Sequence, residues 1–128
     1  MEINTEHLHH WINAIRISNN PMRTMDAFWS GQIKSKEWLI KELEIRNLPP
    51  STIEIHGGWV GVLASMLFQS KVPIEKIVSV DIDPEVQPIA TEMNSIEFSQ
   101  GRFIAETCDM CDRYPVTNIV IKIGRAHV

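Results

Sequence analysis

A chain of 128 residues, 44% apolar and 22% charged, is sized for one domain with a real core, and its formal charge of −4 excludes attachment to nucleic acid by bulk charge alone. No apolar run approaches the ~20 residues that a membrane helix requires, and the first ten residues carry acids and histidines in place of a signal core. Two cysteines, Cys108 and Cys111, make no disulfide framework, so a reducing, cytoplasmic setting is expected.

Glu6 to Ile17 carries Leu8, Trp11, Ile12 and Ile15 at near-helical spacing, and Asn19-Asn20-Pro21 ends that helix. Met22 to Trp29 reads as a short second helix, with Ser30-Gly31 as a break. Ser35 is expected to cap a third helix that carries Trp38, Leu39, Ile40 and Leu43 and stops near Asn47, before Pro49-Pro50. After the prolines the period changes. Thr52 to His56 reads as a short buried strand, Val60 to Ser70 as a helix with Leu63, Met66 and Leu67 on one face, and Lys76 to Ile82 as a β-branched strand. Asp83-Pro84 is expected to open the next helix, with Asp as cap and Pro at the first position. Pro88 either leaves Pro84 to Gln87 as a separate turn or distorts the first turn. Residues 103–107 and 117–121 supply two more strands. Strand and helix in alternation imply right-handed βαβ crossovers and a parallel sheet with helices on both faces. The fold class is therefore α/β, a Rossmann-like doubly wound parallel sheet that stops after about the fourth strand and carries an N-terminal helical extension. Residues 1–50 form the helical segment and 51–121 the ligand-binding α/β part.

In such a sheet a ligand sits beyond the carboxyl ends of the strands, at the switch point beside the first strand. Glu54-Ile55-His56-Gly57-Gly58-Trp59-Val60-Gly61 ends the first strand, where adjacent glycines permit a tight turn and close ligand approach. Asp81 ends the second strand, where a carboxylate can accept from both hydroxyls of a ribose, and Ile82 beside it can lie against a purine face. Cys108-Asp109-Met110 ends the third, where an Asp can accept from an exocyclic amine. The place suits an adenosine that carries a carboxylate or a phosphate.

An acid two positions before a glycine loop, an acid ending the next strand and an Asp ending the third resemble the class I S-adenosylmethionine-dependent methyltransferases, nearest to phage-type and bacterial members with a helical N-terminal extension. The resemblance spans Ile53 to Ile121, with the helices from Trp29 to Leu43. It implies S-adenosyl-L-methionine as cofactor, with Glu54, Gly57 and Gly58 at its methionine end, Asp81 at the ribose, Ile82 on the adenine face, and Asp109 with Met110 at the adenine edge. The loop departs from the family pattern where His56 takes the place of the first glycine and Gly61 falls one residue late, which bears on the contacts of His56 and Trp59. The implied reaction is direct methyl transfer to a nucleophile on a nucleic acid, a protein or a small molecule. The family's catalytic segment follows the fourth strand, so no catalytic residue carries over.

Two other readings stay open. His56-Gly57-Gly58 is similar to the oxyanion loop of α/β-hydrolase esterases, although Trp59 replaces a third glycine and no Gly-x-Ser-x-Gly occurs. A non-catalytic nucleotide-binding module would have the same fold. A nicotinamide site lacks its Gly-x-Gly-x-x-Gly. Cys108 and Cys111 lack the second pair that a zinc site needs, and no metal is expected. Trp29, beside Ser30-Gly31, is placed as a lid over the cofactor. Ile123-Gly124-Arg125-Ala126-His127-Val128 resembles the translation of a sequencing adapter. Residues 122–128 are therefore expected to be a non-native tail, with the gene continuing past Ile121 and the 128-residue chain inactive by itself.

Overall fold

The computed structural model describes residues 5–28, 30–113 and 117–123. Helices α1 (Thr5–Ile17), α2 (Pro21–Met25) and α3 (Ser30–Glu44) precede β1 (Ser51–His56), α4 (Val62–Phe68), β2 (Ile74–Asp81), α5 (Val86–Met93), α6 (Ser95–Ser99), β3 (Phe103–Thr107) and β4 (Ile119–Lys122). The sheet has the order β3-β2-β1-β4, and each neighbouring pair is parallel. The order reverses at β1, so the crevice between β1 and β4 is the switch point of a Rossmann-like sheet.

The two-residue period of β1 separates its side chains. Ile53 and Ile55 point to one face, where they join Ile77, Phe103 and Ala105 in the core beneath α4 and α5; Glu54 and His56 point to the other. Helix α4 is buried from Val62 to Leu67, because the sheet lies under it and the N-terminal helices lie over it. Trp11 of α1 reaches down to this layer and donates its indole N–H to Oγ of Ser65 at 2.7 Å, so the one polar atom of a buried ring is satisfied. His7 and His10 hold the same helix against Glu97 and Glu92, each at 3.1 Å. These contacts fasten α1 over α4, α5 and α6, the helices that follow β1 and β2.

The third helix starts at Ser30, not at Ser35. Ser30-Gly31 reads as a break because both are weak helix formers, yet such residues suit a first turn whose N–H groups lack helical partners. Ser35 lies mid-helix and donates its hydroxyl to Gln32 O. Likewise Asp83 does not cap α5. Its Oδ1 accepts from Glu85 N in a separate turn at Pro84-Glu85, and the helix begins at Val86. Pro88 then falls at the third helical position, where an N–H would have no intrahelical acceptor. Strand β2 ends at Asp81, leaving Ile82 outside the ladder, and Ile123 extends the β4 edge by donating its N–H to His56 O at 3.0 Å. Trp29 and residues 124–128, and with them the expected lid and most of the expected tail, lie outside the described residues.

Candidate functional site

The chain leaves β1 through a turn that side chains would obstruct. Gly57 and Gly61 have φ of 77° and 86°, in the left-handed region that favours glycine. At Gly58 a Cβ would lie 1.9 Å from Oγ of Ser79 and 3.2 Å from its Cβ, because the loop rests directly on β2. Gly58→Ala is therefore expected to cost at least about 1–3 kcal/mol by overpacking. Ser79→Gly in the same chain should recover most of that, since the next neighbour, Ile55, is 3.6 Å away. Thermal melting of the single and double variants checks this.

The loop's donors are already committed. The N–H groups of Gly57 and Gly58 both reach Val80 O, at 2.8 and 3.1 Å, Gly61 N reaches Gly58 O, and Trp59 N donates to Oδ2 of Asp81 at 3.0 Å. These four N–H groups cannot also build an oxyanion hole, which removes the basis of the esterase reading. Trp59 itself has φ of 49°, a conformation a bulky residue adopts only when its surroundings impose it. The imposing group is Asp81, whose other oxygen accepts from Asp83 N at 3.0 Å. One carboxylate at the end of β2 thus holds the turns after both central strands.

Glu54 is fully buried on the opposite face of the sheet. His56 Nε2 lies 2.6 Å from its Oε2 and Arg113 Nη2 2.9 Å from its Oε1, and Arg113 also pairs with Glu106. Burial alone would push the Glu54 carboxyl up, but the hydrogen bonds and charges of Arg113 and His56 outweigh it and hold it below its ordinary value. Glu106 and Glu54 in turn raise Arg113. Residues 54 and 56 share a strand face, which is how the imidazole meets the acid. Asp109 is exposed and spends Oδ1 on Cys111 N, at the start of the 3-10 turn Met110–Asp112. Ile82 and Met110 are exposed, at 65% and 40%, and apolar faces so displayed are available to a ligand.

Beside the glycine turn lies a cavity of about 390 Å³. One wall is Gly57, Gly58, Trp59, Val60 and Val62 with Ile123 at the end of β4; the other is Arg23, Asp26, Ala27, Gln32 and Lys36 from the helical segment. Of the expected site residues, Gly57, Gly58 and Trp59 meet in this lining. Glu54, Asp81 and Asp109 stand at three adjacent strand ends and are not in it. Neither the wall from the helical segment nor the role of Arg113 is legible in the sequence. A lone cation in an amphipathic helix looks like a solvated face, and nothing local marks Arg113 as the partner of Glu54.

Neither a protein-family model nor a curated protein matches the sequence. Solved structures do match. A candidate RNA methyltransferase, PH1948 from Pyrococcus horikoshii, superposes with a TM-score of 0.59 at 20% identity over 70% of this chain and 44% of its own. An S-adenosylmethionine-dependent methyltransferase from Geobacter sulfurreducens, in complex with S-adenosyl-L-homocysteine, gives 0.57 at 12% identity over 71% and 36%. The N-methyltransferase NodS from Bradyrhizobium japonicum, in complex with the same product, gives 0.57 at 11% identity over 87% and 54%. The chain shares the Rossmann-like α/β fold of these methyltransferases. The chain spans about half or less of each of these methyltransferases. In this sheet the turn after β1 lies where the strand order reverses, and the acid ending β2 stands one strand away.

Proposed function

We propose that these residues form the cofactor-binding part of a methyltransferase that uses S-adenosyl-L-methionine. The observation that carries this reading is Asp81, which fastens the glycine turn at the switch point of a methyltransferase-like sheet while standing between that turn and the exposed Ile82. On this reading Asp81 accepts from the ribose, Ile82 lies on the adenine face, and Asp109 and Met110 meet the adenine edge. Gly57, Gly58 and Trp59 line the cavity that faces the methionine end. Glu54 and His56 act at one remove, by fixing the strand end beneath the turn. The reaction is methyl transfer from the sulfonium to a nucleophile, in which the protein's part is to hold the two reactants in line. Residues that engage the acceptor are sought beyond the cofactor half, since the match covers only 44%, 36% and 54% of the three methyltransferases. A cytoplasmic setting fits this role, and no helix among the described residues is long and apolar enough to cross a membrane.

Titration calorimetry of the chain with S-adenosyl-L-homocysteine tests the reading. The expected result is saturable one-to-one binding that neither ATP nor NAD displaces. Binding of ATP or NAD in preference would transfer the assignment to a general nucleotide-binding module, and no heat with any of the three would end it.

A further inference from the structure

The cavity beside the glycine turn has two unlike walls. On the loop side the N–H groups of Gly57, Gly58 and Trp59 are turned inward onto Val80 and Asp81, so these residues offer a ligand no backbone donor. On the helical side stand Lys36 and Asp26, opposite charges of which neither has an ion-pair partner among the described residues. Lys36 is half-buried, and its ammonium donates to Oε1 of Gln32, a neutral acceptor, at 3.2 Å. Burial lowers its pKa, the mark of an ammonium whose lost hydration is not made good by a counter-ion. Arg23, the third charged residue of the lining, also borders a smaller cavity with Asp83 and Glu85, so its charge faces two acids of the turn after β2.

The amino-acid end of a ligand carries one carboxylate and one ammonium, and needs a cation and an acid side by side. Glu54, the acid that the family resemblance sets at that end, is not available to the ammonium. It is fully buried, its Oε2 meets His56 and its Oε1 meets Arg113, and it is not in the lining. Asp26 is the one carboxylate among the described lining residues. Position decides which end of the ligand reaches it. Asp81, Ile82, Asp109 and Met110 follow β2 and β3, whereas Ile123 of the cavity ends β4, on the other side of β1. An adenosine along the first group therefore sends its far end across the β1 turn into the cavity. We propose that the helical segment holds the amino-acid end of S-adenosyl-L-methionine, with its carboxylate on Lys36 and its ammonium on Asp26 in place of Glu54. This rests on the methyltransferase reading above.

Calorimetry with two probes tests this: S-adenosyl-L-homocysteine, and methylthioadenosine, which keeps the adenosine and the sulfur but lacks the amino-acid end. Lys36→Met and Asp26→Asn are each expected to weaken binding of the first by about tenfold or more, as loss of a charge-assisted contact does, and of the second by no more than about twofold. Lys34→Met, an exposed lysine of the same helix outside the cavity, should change neither. Asp26 is exposed, so its variant reads the same end of the ligand without disturbing a half-buried stem, and circular dichroism confirms that all three variants fold. Homocysteine-product affinity within about twofold of wild type in either cavity variant overturns the proposal and leaves the methyltransferase reading standing. An equal loss for both probes overturns it as well, since the side chains would then act through the fold and not on the amino-acid end. Failure of the wild-type chain to bind the product is a separate result, which removes the methyltransferase reading itself.

Discussion

Arg113→Met is expected to destabilise the fold by about 3–5 kcal/mol, because it strands a fully buried carboxylate. That is a large share of the roughly 5–15 kcal/mol that a domain possesses. Glu54 lies in one of the two inner strands of the sheet, fully buried on the face where Val78 and Val80 line the neighbouring strand, so water cannot replace the guanidinium. The double variant Glu54→Gln/Arg113→Met should lose less than Arg113→Met alone, since removing both charges removes the desolvation penalty with the attraction. Chemical denaturation of the three proteins at neutral pH measures the effect. A single variant as stable as wild type would show that Arg113 contributes nothing to the strand end.

The pH dependence of the two proteins should differ in steepness. In the wild type the folded Glu54 carboxyl lies below its unfolded value, so its contribution is fully present above the ordinary carboxylate range and is lost as pH falls through the lowered folded value. Arg113→Met removes the hydrogen bond and the charge of Arg113 that lower the Glu54 carboxyl, so this contribution shrinks and the loss of stability on acidification becomes shallower. Parallel denaturation series at several pH values separate the two slopes.

This pair also shows which parts of the protein were legible in its sequence. Strands β1, β2 and β3 are β-branched runs bounded by Pro, Gly and Asp, and the sequence places them within about two residues, because the strand period and its breakers are local. The start of α3 is not legible, because Ser and Gly at a helix origin look the same as Ser and Gly in a break. His56 reads as damage to a glycine motif until the strand period is applied; residues 54 and 56 then share a face, and an acid with a histidine there is a legible pair. Arg113, Arg23 and Lys36 are not legible. Each meets its surroundings across a tertiary contact that no spacing encodes, and only the folded sheet brings them to the ends of β1 and β4.

Asp81→Ala should abolish measurable binding of S-adenosyl-L-homocysteine and loosen the turn as well. Two backbone donors, Trp59 N and Asp83 N, lose a charged acceptor worth about 1.5–3 kcal/mol each. Trp59 loses the group that holds its positive φ, so the turn can relax away from the shape the ligand meets. A carboxylate accepts at about four lone-pair positions, so gripping the turn and accepting from a ribose are compatible roles. Asp81→Asn separates them from simple loss of volume. It keeps the shape but turns an amide NH2 toward one of the two backbone N–H groups, and should weaken product binding by about tenfold or more while melting closer to wild type than the alanine variant. Calorimetry beside thermal melting reads both quantities. If Asp81→Ala binds the product as tightly as wild type, the ribose is not held at the end of β2, and the placement of the adenosine along Ile82 and Met110 fails with it.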